Sequence, residues 1–175
     1  PGGIVVAGAK TGISASAGNG TVQLTWEEYT ASTTDVFATN ISASNSAGPT
    51  RTLSIGVPSQ IKPDMAASGN GYMIVYRSAT SARLRILAQP LDLNGNATTA
   101  EPFELDNVDA SASLGYPNVA WNGSLYMVTW NNASGVVARR LQSNGTPIDA
   151  APFVVLNPGF GGTDVEALGS DFLIV

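Results

Sequence analysis

The chain contains no histidine and no cysteine. That removes Ser-His-Asp triads, Cys-His pairs and thiolate metal centres together. What remains for chemistry is carboxylates, guanidinium groups and aromatic rings. Glu27 and Glu28 stand side by side after Trp26. Neighbours in a strand point to opposite faces, so these two carboxylates do not converge. They read as a solvated strand end. Asp106, Asp109, Asp149 and Asp164 fall in loops between apolar runs. Any two of them meeting across one face could do two-carboxylate acid–base work, but the sequence does not pair them. Asp92-Leu93-Asn94-Gly95-Asn96, with Glu101 downstream, is oxygen-rich. A calcium loop of the EF-hand type needs glycine at its sixth position. Here glycine is fourth, and the matching stretch Gln142–Thr146 lacks the acid, so the pattern reads as a hairpin turn.

Arg83, Arg85, Arg139 and Arg140 fall on third strands. They read as blade-edge side chains that bond loop carbonyls, with an anion-binding channel as the other use of such a pattern. Asn-x-Ser/Thr occurs at Asn19, Asn40, Asn96, Asn122, Asn132 and Asn144, mostly as good turn chemistry. The rings at 26, 72, 76, 126 and 130 have strand-core spacing. Tyr116 and Trp121 are the exceptions, since they flank a strand end where a lectin could place a stacking ring. No catalytic, cofactor-binding or metal residue is assigned from sequence, and the ligand-binding residues are unknown.

The elements that must hold these groups are legible as a repeat. Between Gly115 and Val155 lie four short apolar runs, Asn118–Trp121, Leu125–Trp130, Val136–Leu141 and Pro152–Val155. Asn, Gly, Ser or Pro separates them, as in a four-stranded antiparallel meander. A shift of 54 residues puts Pro117, Val119 and Ala120 on Pro63, Met65 and Ala66, and Trp130 on Tyr76. A shift of 50 puts Ala138, Leu141 and Asn144-Gly145 on Ala88, Leu91 and Asn94-Gly95. A further 50 reaches a weaker copy, with Trp26 on Tyr76 and Ala38 on Ala88. Forward, a shift of 46 puts Val165 on Val119 and Phe172 on Tyr126.

This gives whole repeats at 13–55, 63–105 and 117–155, with partial ones at 1–8 (the strand Ile4-Val5-Val6) and 163–175. Four-stranded repeats of this period predict an all-β fold of β-propeller-type blades. Second strands that are apolar on both faces fit blades stacked around an axis, whereas a β-sandwich needs no such echo.

The repeat resembles propeller-like repeats of bacterial secreted and cell-surface proteins, of the form P-x-V-A-x-x-G-x-x-Y-x-V-x-W, then A-R-R-L, then N/D-G-x-P. Here those are Pro117–Ala120, Tyr126–Trp130, Ala138–Leu141 and Asn144–Pro147. The resemblance covers most of 63–155 and fades in 1–55. It implies a location outside the cytoplasm and specifies blade structure, not a ligand.

Composition narrows the partners. Net charge is −5, the pI is near 4.4 and 12% of residues are charged, which argues against nucleic acid. No apolar run reaches the roughly 18 residues that span a bilayer, and no leader pattern is present. The first residue is proline, as in a processed chain or a piece of a longer one. Open strand edges predict partners among other parts of a longer chain or neighbouring subunits. The function expected is a non-catalytic extracellular scaffold or adhesive module without cofactor. A carbohydrate-binding lectin propeller and a glycoside hydrolase built on two carboxylates are the alternatives from other classes.

Overall fold

A computed structural model describes residues 10–18, 20–30, 33–54, 58–157 and 161–175. The strand expected at Ile4–Val6 and the Asn19 sequon lie outside the described residues. Among the described residues, fourteen strands form four antiparallel sheets. The first sheet holds β1 (Thr11–Gly18), β2 (Thr21–Thr30), β3 (Thr33–Ile41) and β4 (Arg51–Ser54). The second holds β5 (Ser59–Ser68), β6 (Gly71–Ala79), β7 (Arg83–Leu91) and β8 (Phe103–Asp109). The third holds β9 (Asn118–Trp121), β10 (Tyr126–Asn132), β11 (Gly135–Leu141) and β12 (Phe153–Leu156). The fourth pairs β13 (Val165–Leu168) with β14 (Asp171–Ile174). Strands run in sequence order across each sheet, and the first strands β1, β5, β9 and β13 lie against one another in turn. The chain is therefore all-β and propeller-type, with the first strands innermost.

The register sets residues at equivalent repeat positions in equivalent cross-strand pairs. Trp26 faces Phe37, Tyr76 faces Leu87 and Trp130 faces Val137. Trp26, Tyr76 and Trp130 are each buried. Tyr76 packs with Val36 and Ala38 of the sheet before it, and Trp130 with Ile86 and Leu105 of the sheet before it. β6 is buried from Gly71 to Tyr76 without alternation, as a strand covered on both faces must be.

Two local expectations need correction. The Asn94-Gly95 turn does not join the third strand to the fourth directly. Leu91 bridges to Ala97, so the turn caps a short extension beyond β7, and residues 98–102 then lead to β8. Gly95 supplies φ of 80° there, and Asp92 holds the turn by accepting from the Asn94 and Asn96 amides at 2.9 and 2.8 Å. The second correction concerns Glu27, which is not solvated. It is buried, and its carboxylate accepts from the Thr11 hydroxyl at 2.9 Å and from the Lys62 amide at 2.6 Å. The local sequence hides the cause. β1 and β5 each carry an irregularity near their start, at Thr11/Ser14 and Ile61/Asp64, and these open room for the carboxylate.

Candidate functional site

The offsets that align the blades also align the starts of the innermost strands. Ser14, Asp64, Asn118 and Asp164 occupy one repeat position, and all four line a single cavity of about 490 Å³. Each stands just before the first core residue of its strand, of which Met65, Val119 and Val165 are buried. The bulges in β1 and β5 end there, which aims that side chain toward the axis rather than into a neighbouring sheet.

Asp64 is the best connected of the four. It is half-buried. Its Oδ1 accepts from the Ser14 hydroxyl at 2.8 Å and its Oδ2 from the Val119 amide at 2.9 Å. One carboxyl group thus ties the second blade to the first and third. Burial pushes its pKa up, the Val119 and Ser14 donors pull back, and the charge of Asp164 pushes further up. Asp164 itself is exposed, and the Val165 amide donates to its Oδ1 at 2.8 Å. Asn118 between them donates to the Thr163 carbonyl. The ring therefore offers one partly desolvated carboxyl that holds its proton to higher pH and one solvated carboxylate. Such a division of environments sets up acid and base roles.

Glu166, two residues beyond Asp164 on β13, lines the cavity as well, whereas the loop acids Asp106, Asp109 and Asp149 do not. Asp106 accepts from the Trp130 indole N–H at 2.8 Å and from Asn132 at 3.2 Å. Asp109 pairs with Arg83 at 2.5 Å. Asp149 pairs with Arg140 at 2.6 Å, and that hydrogen bond holds its carboxyl below the ordinary range. Arg139 donates to the Leu105, Asp149 and Ala150 carbonyls, as blade-edge arginines do, and Arg85 lies 3.5 Å from Glu104. Asn122, Asn132 and Asn144 accept from amides two residues on, which is turn chemistry. Asn40 instead reaches the Asn94 carbonyl at 3.1 Å.

The two rings singled out from sequence part company. Trp121 is partly buried, rests on Tyr126 with centroids 4.5 Å apart and lines the inner cavity. Tyr116 is 45% exposed and lines a second cavity of about 280 Å³ that shares Ser14, Asp64 and Asn118 with the first. The second cavity, termed the channel mouth, thus adjoins the first along these residues.

A cavity bordered by the innermost strands, with Asp64 and Asp164 among its lining, gives a propeller-type fold a polar site between its first strands. Comparison with known proteins agrees on the fold. No family model and no curated protein matches the chain. Among solved structures, it is similar to the catalytic domain of the GH62 α-L-arabinofuranosidase of Coprinopsis cinerea (TM-score 0.53, 11% identity, 86% of this chain and 52% of that one). It is also similar to the GH32 β-fructofuranosidase BmSUC1 of Bombyx mori (TM-score 0.54, 12% identity, 93% and 41%). A third is the subtype N10 neuraminidase-like protein of a virus from the little yellow-shouldered bat (TM-score 0.54, 14% identity, 89% and 48%). The chain spans about half the length of these proteins. At such identity the likeness shows the fold. The expectation of a non-catalytic scaffold and of a non-enzyme is contradicted by these neighbours, two of which are glycoside hydrolases.

Among the described residues no helix is long and apolar enough to cross a membrane.

Proposed function

We propose that the chain forms part of a secreted, carboxylate-dependent glycoside hydrolase, with the scissile bond held in the axial channel above Asp64 and Asp164. The observation that carries this reading is the ring of repeat-equivalent positions in which two of four innermost strands present an aspartate to one cavity. In this scheme Asp64, kept protonated to higher pH by burial and by Asp164, gives its proton to the leaving-group oxygen. Asp164 supplies the opposing carboxylate. Ser14 and the Val119 amide hold the Asp64 carboxyl in place, and Asn118 separates the two acids around the ring. The blade motifs at Pro117–Ala120 and Ala138–Leu141 support grouping the blades with bacterial secreted and surface repeats.

The test is hydrolysis of aryl arabinofuranosides, fructofuranosides and sialosides by the full chain. Asp64→Asn and Asp164→Asn should each lower kcat/KM on the accepted substrate by about 100-fold or more while leaving the fold intact. Full activity in either variant refutes the assignment.

A further inference from the structure

Two residues before the carboxylate ring lies a second ring of repeat equivalents, formed by Gly12, Lys62 and Tyr116. The three line the channel mouth together. Gly12 and Lys62 have nearly the same backbone, with φ of 55° and 53°. Glycine adopts that conformation without cost, whereas a lysine there is unusual. At Gly12 the absence of a side chain also makes room for Glu27, whose carboxylate carbon would sit 3.1 Å from an added Cβ. At Lys62 the strained backbone is held by the Glu27 carboxylate on its amide and by Pro63 after it. Backbone strain that the surroundings maintain points to a use for the side chain.

The charge of Lys62 is unspent. Of the chain's eight lysines and arginines, Lys10, Arg83, Arg85 and Arg140 pair with carboxylates. Arg51 donates to Asn96, Arg139 donates to carbonyls, and Arg77 donates to the Leu114 carbonyl. The exposed ammonium of Lys62 engages none of the described residues, although the protein carries a net charge of −5. Arg77, on the same blade as Lys62, lies 4.4 Å from the centre of the ring of Tyr116 at the start of the next blade, which braces the ring, while 45% of Tyr116 stays exposed.

We propose that Lys62 and Tyr116 form a subsite for a carboxylate-bearing sugar residue, of the uronic or sialic acid class. Tyr116 stacks on the sugar ring and Lys62 pairs with the sugar carboxylate, one step out from Asp64. The subsite rests on the hydrolase reading for its place in a reaction, but its binding preference stands or falls separately.

The experiment is calorimetric titration of the full chain carrying Asp164→Asn, which prevents turnover. The probes are trigalacturonic acid, sialyllactose and the neutral sugars galactotriose and lactose. At least one acidic probe should bind about fivefold to tenfold tighter than its neutral counterpart, and the acidic arm that does so identifies the source. Lys62→Gly and Lys62→Met should each bring the ratio to within about twofold of unity. Lys62→Gly should keep or raise the Tm, because glycine suits that backbone. Tyr116→Ala should weaken acidic and neutral probes alike, by about fivefold. Equal binding of acidic and neutral probes, or a preference that survives Lys62→Gly, overturns the proposal. A preference without hydrolysis by the parent chain would leave the subsite standing and remove the hydrolase reading.

Discussion

The contact between the first and second blades differs from that between the second and third, although the backbone docks the same way in both. In each, a glycine turn beyond the third strand leans on the preceding blade at the repeat position of Asn40 and Pro90. Gly145 sits on Phe103 and on Pro90, and Pro90 is the register partner of Met73. Gly95 sits instead on Gln23 and Asn40, themselves register partners. The second interface is apolar, a cluster that runs from Met73 through Ile86 and Leu105 to Trp130 and Leu141. The first holds buried amide atoms of Gln23 and Asn40 that find no partner. The lesson is that docking geometry repeats while its energetics do not. A buried polar atom without a partner costs about 1–3 kcal/mol, so the first blade is expected to be the weaker attached, although its own apolar cluster joins Val36 and Ala38 to Tyr76.

The comparison is broken most severely by removing the anchor of the stronger interface. Trp130→Ala should cost roughly 3–5 kcal/mol in denaturant unfolding, as loss of a buried aromatic does. Retention of parental stability would show that the apolar cluster does not hold the third blade. A reciprocal exchange comes next. Met73→Gln imports the first blade's chemistry into the second and should destabilise by about 2 kcal/mol. Gln23→Met makes the opposite change and should stabilise by about 1 kcal/mol. If both exchanges lower the midpoint, the unpartnered amide is not what separates the interfaces. Hydrogen exchange sharpens the contrast without mutation, since amides of β2 and β3 should exchange before those of β10 and β11.

The smallest effect concerns Asp64. Its carboxyl is raised by burial and by Asp164, so the folded state binds the proton more tightly than the unfolded chain does. That contribution is complete below the ordinary aspartate range and is lost as pH rises through the raised value. Asp64→Asn keeps an acceptor for Val119 and a group for Ser14 but cannot ionise. Its stability relative to the parent should therefore improve as pH rises from the acid side through that range. A flat difference across pH would place the parent's Asp64 at its ordinary value.

Much of the fold was legible because the hydrophobic pattern is local. The aromatic positions at 26, 76 and 130 follow from spacing, and the structure buries all three. The site was less legible. Asp164 was read as one of several loop acids, and Asp64 was not singled out. The signal was available, since the shifts that place Pro63 under Pro117 also bring Asp64, Asn118 and Asp164 into one register position. Matching for apolar identity passes over a position that changes chemistry in every copy. Glu27 was misread for a different reason, because its burial depends on irregularities in two other strands that leave no local trace.

Those irregularities also leave the molecule with interchangeable sockets. At this repeat position the second and third blades bring a side chain to the cavity, Lys62 and Tyr116, where the first has Gly12. The backbone there is fixed from behind, by Glu27 at Lys62 and by the prolines that follow Lys62 and Tyr116. At Lys62 and Tyr116 the side chain can change without shifting the register of the strands that carry it, whereas at Gly12 Glu27 fills the space. A molecule built by repeating one blade thus gains a short row of positions at which recognition can be rewritten while the architecture stays still.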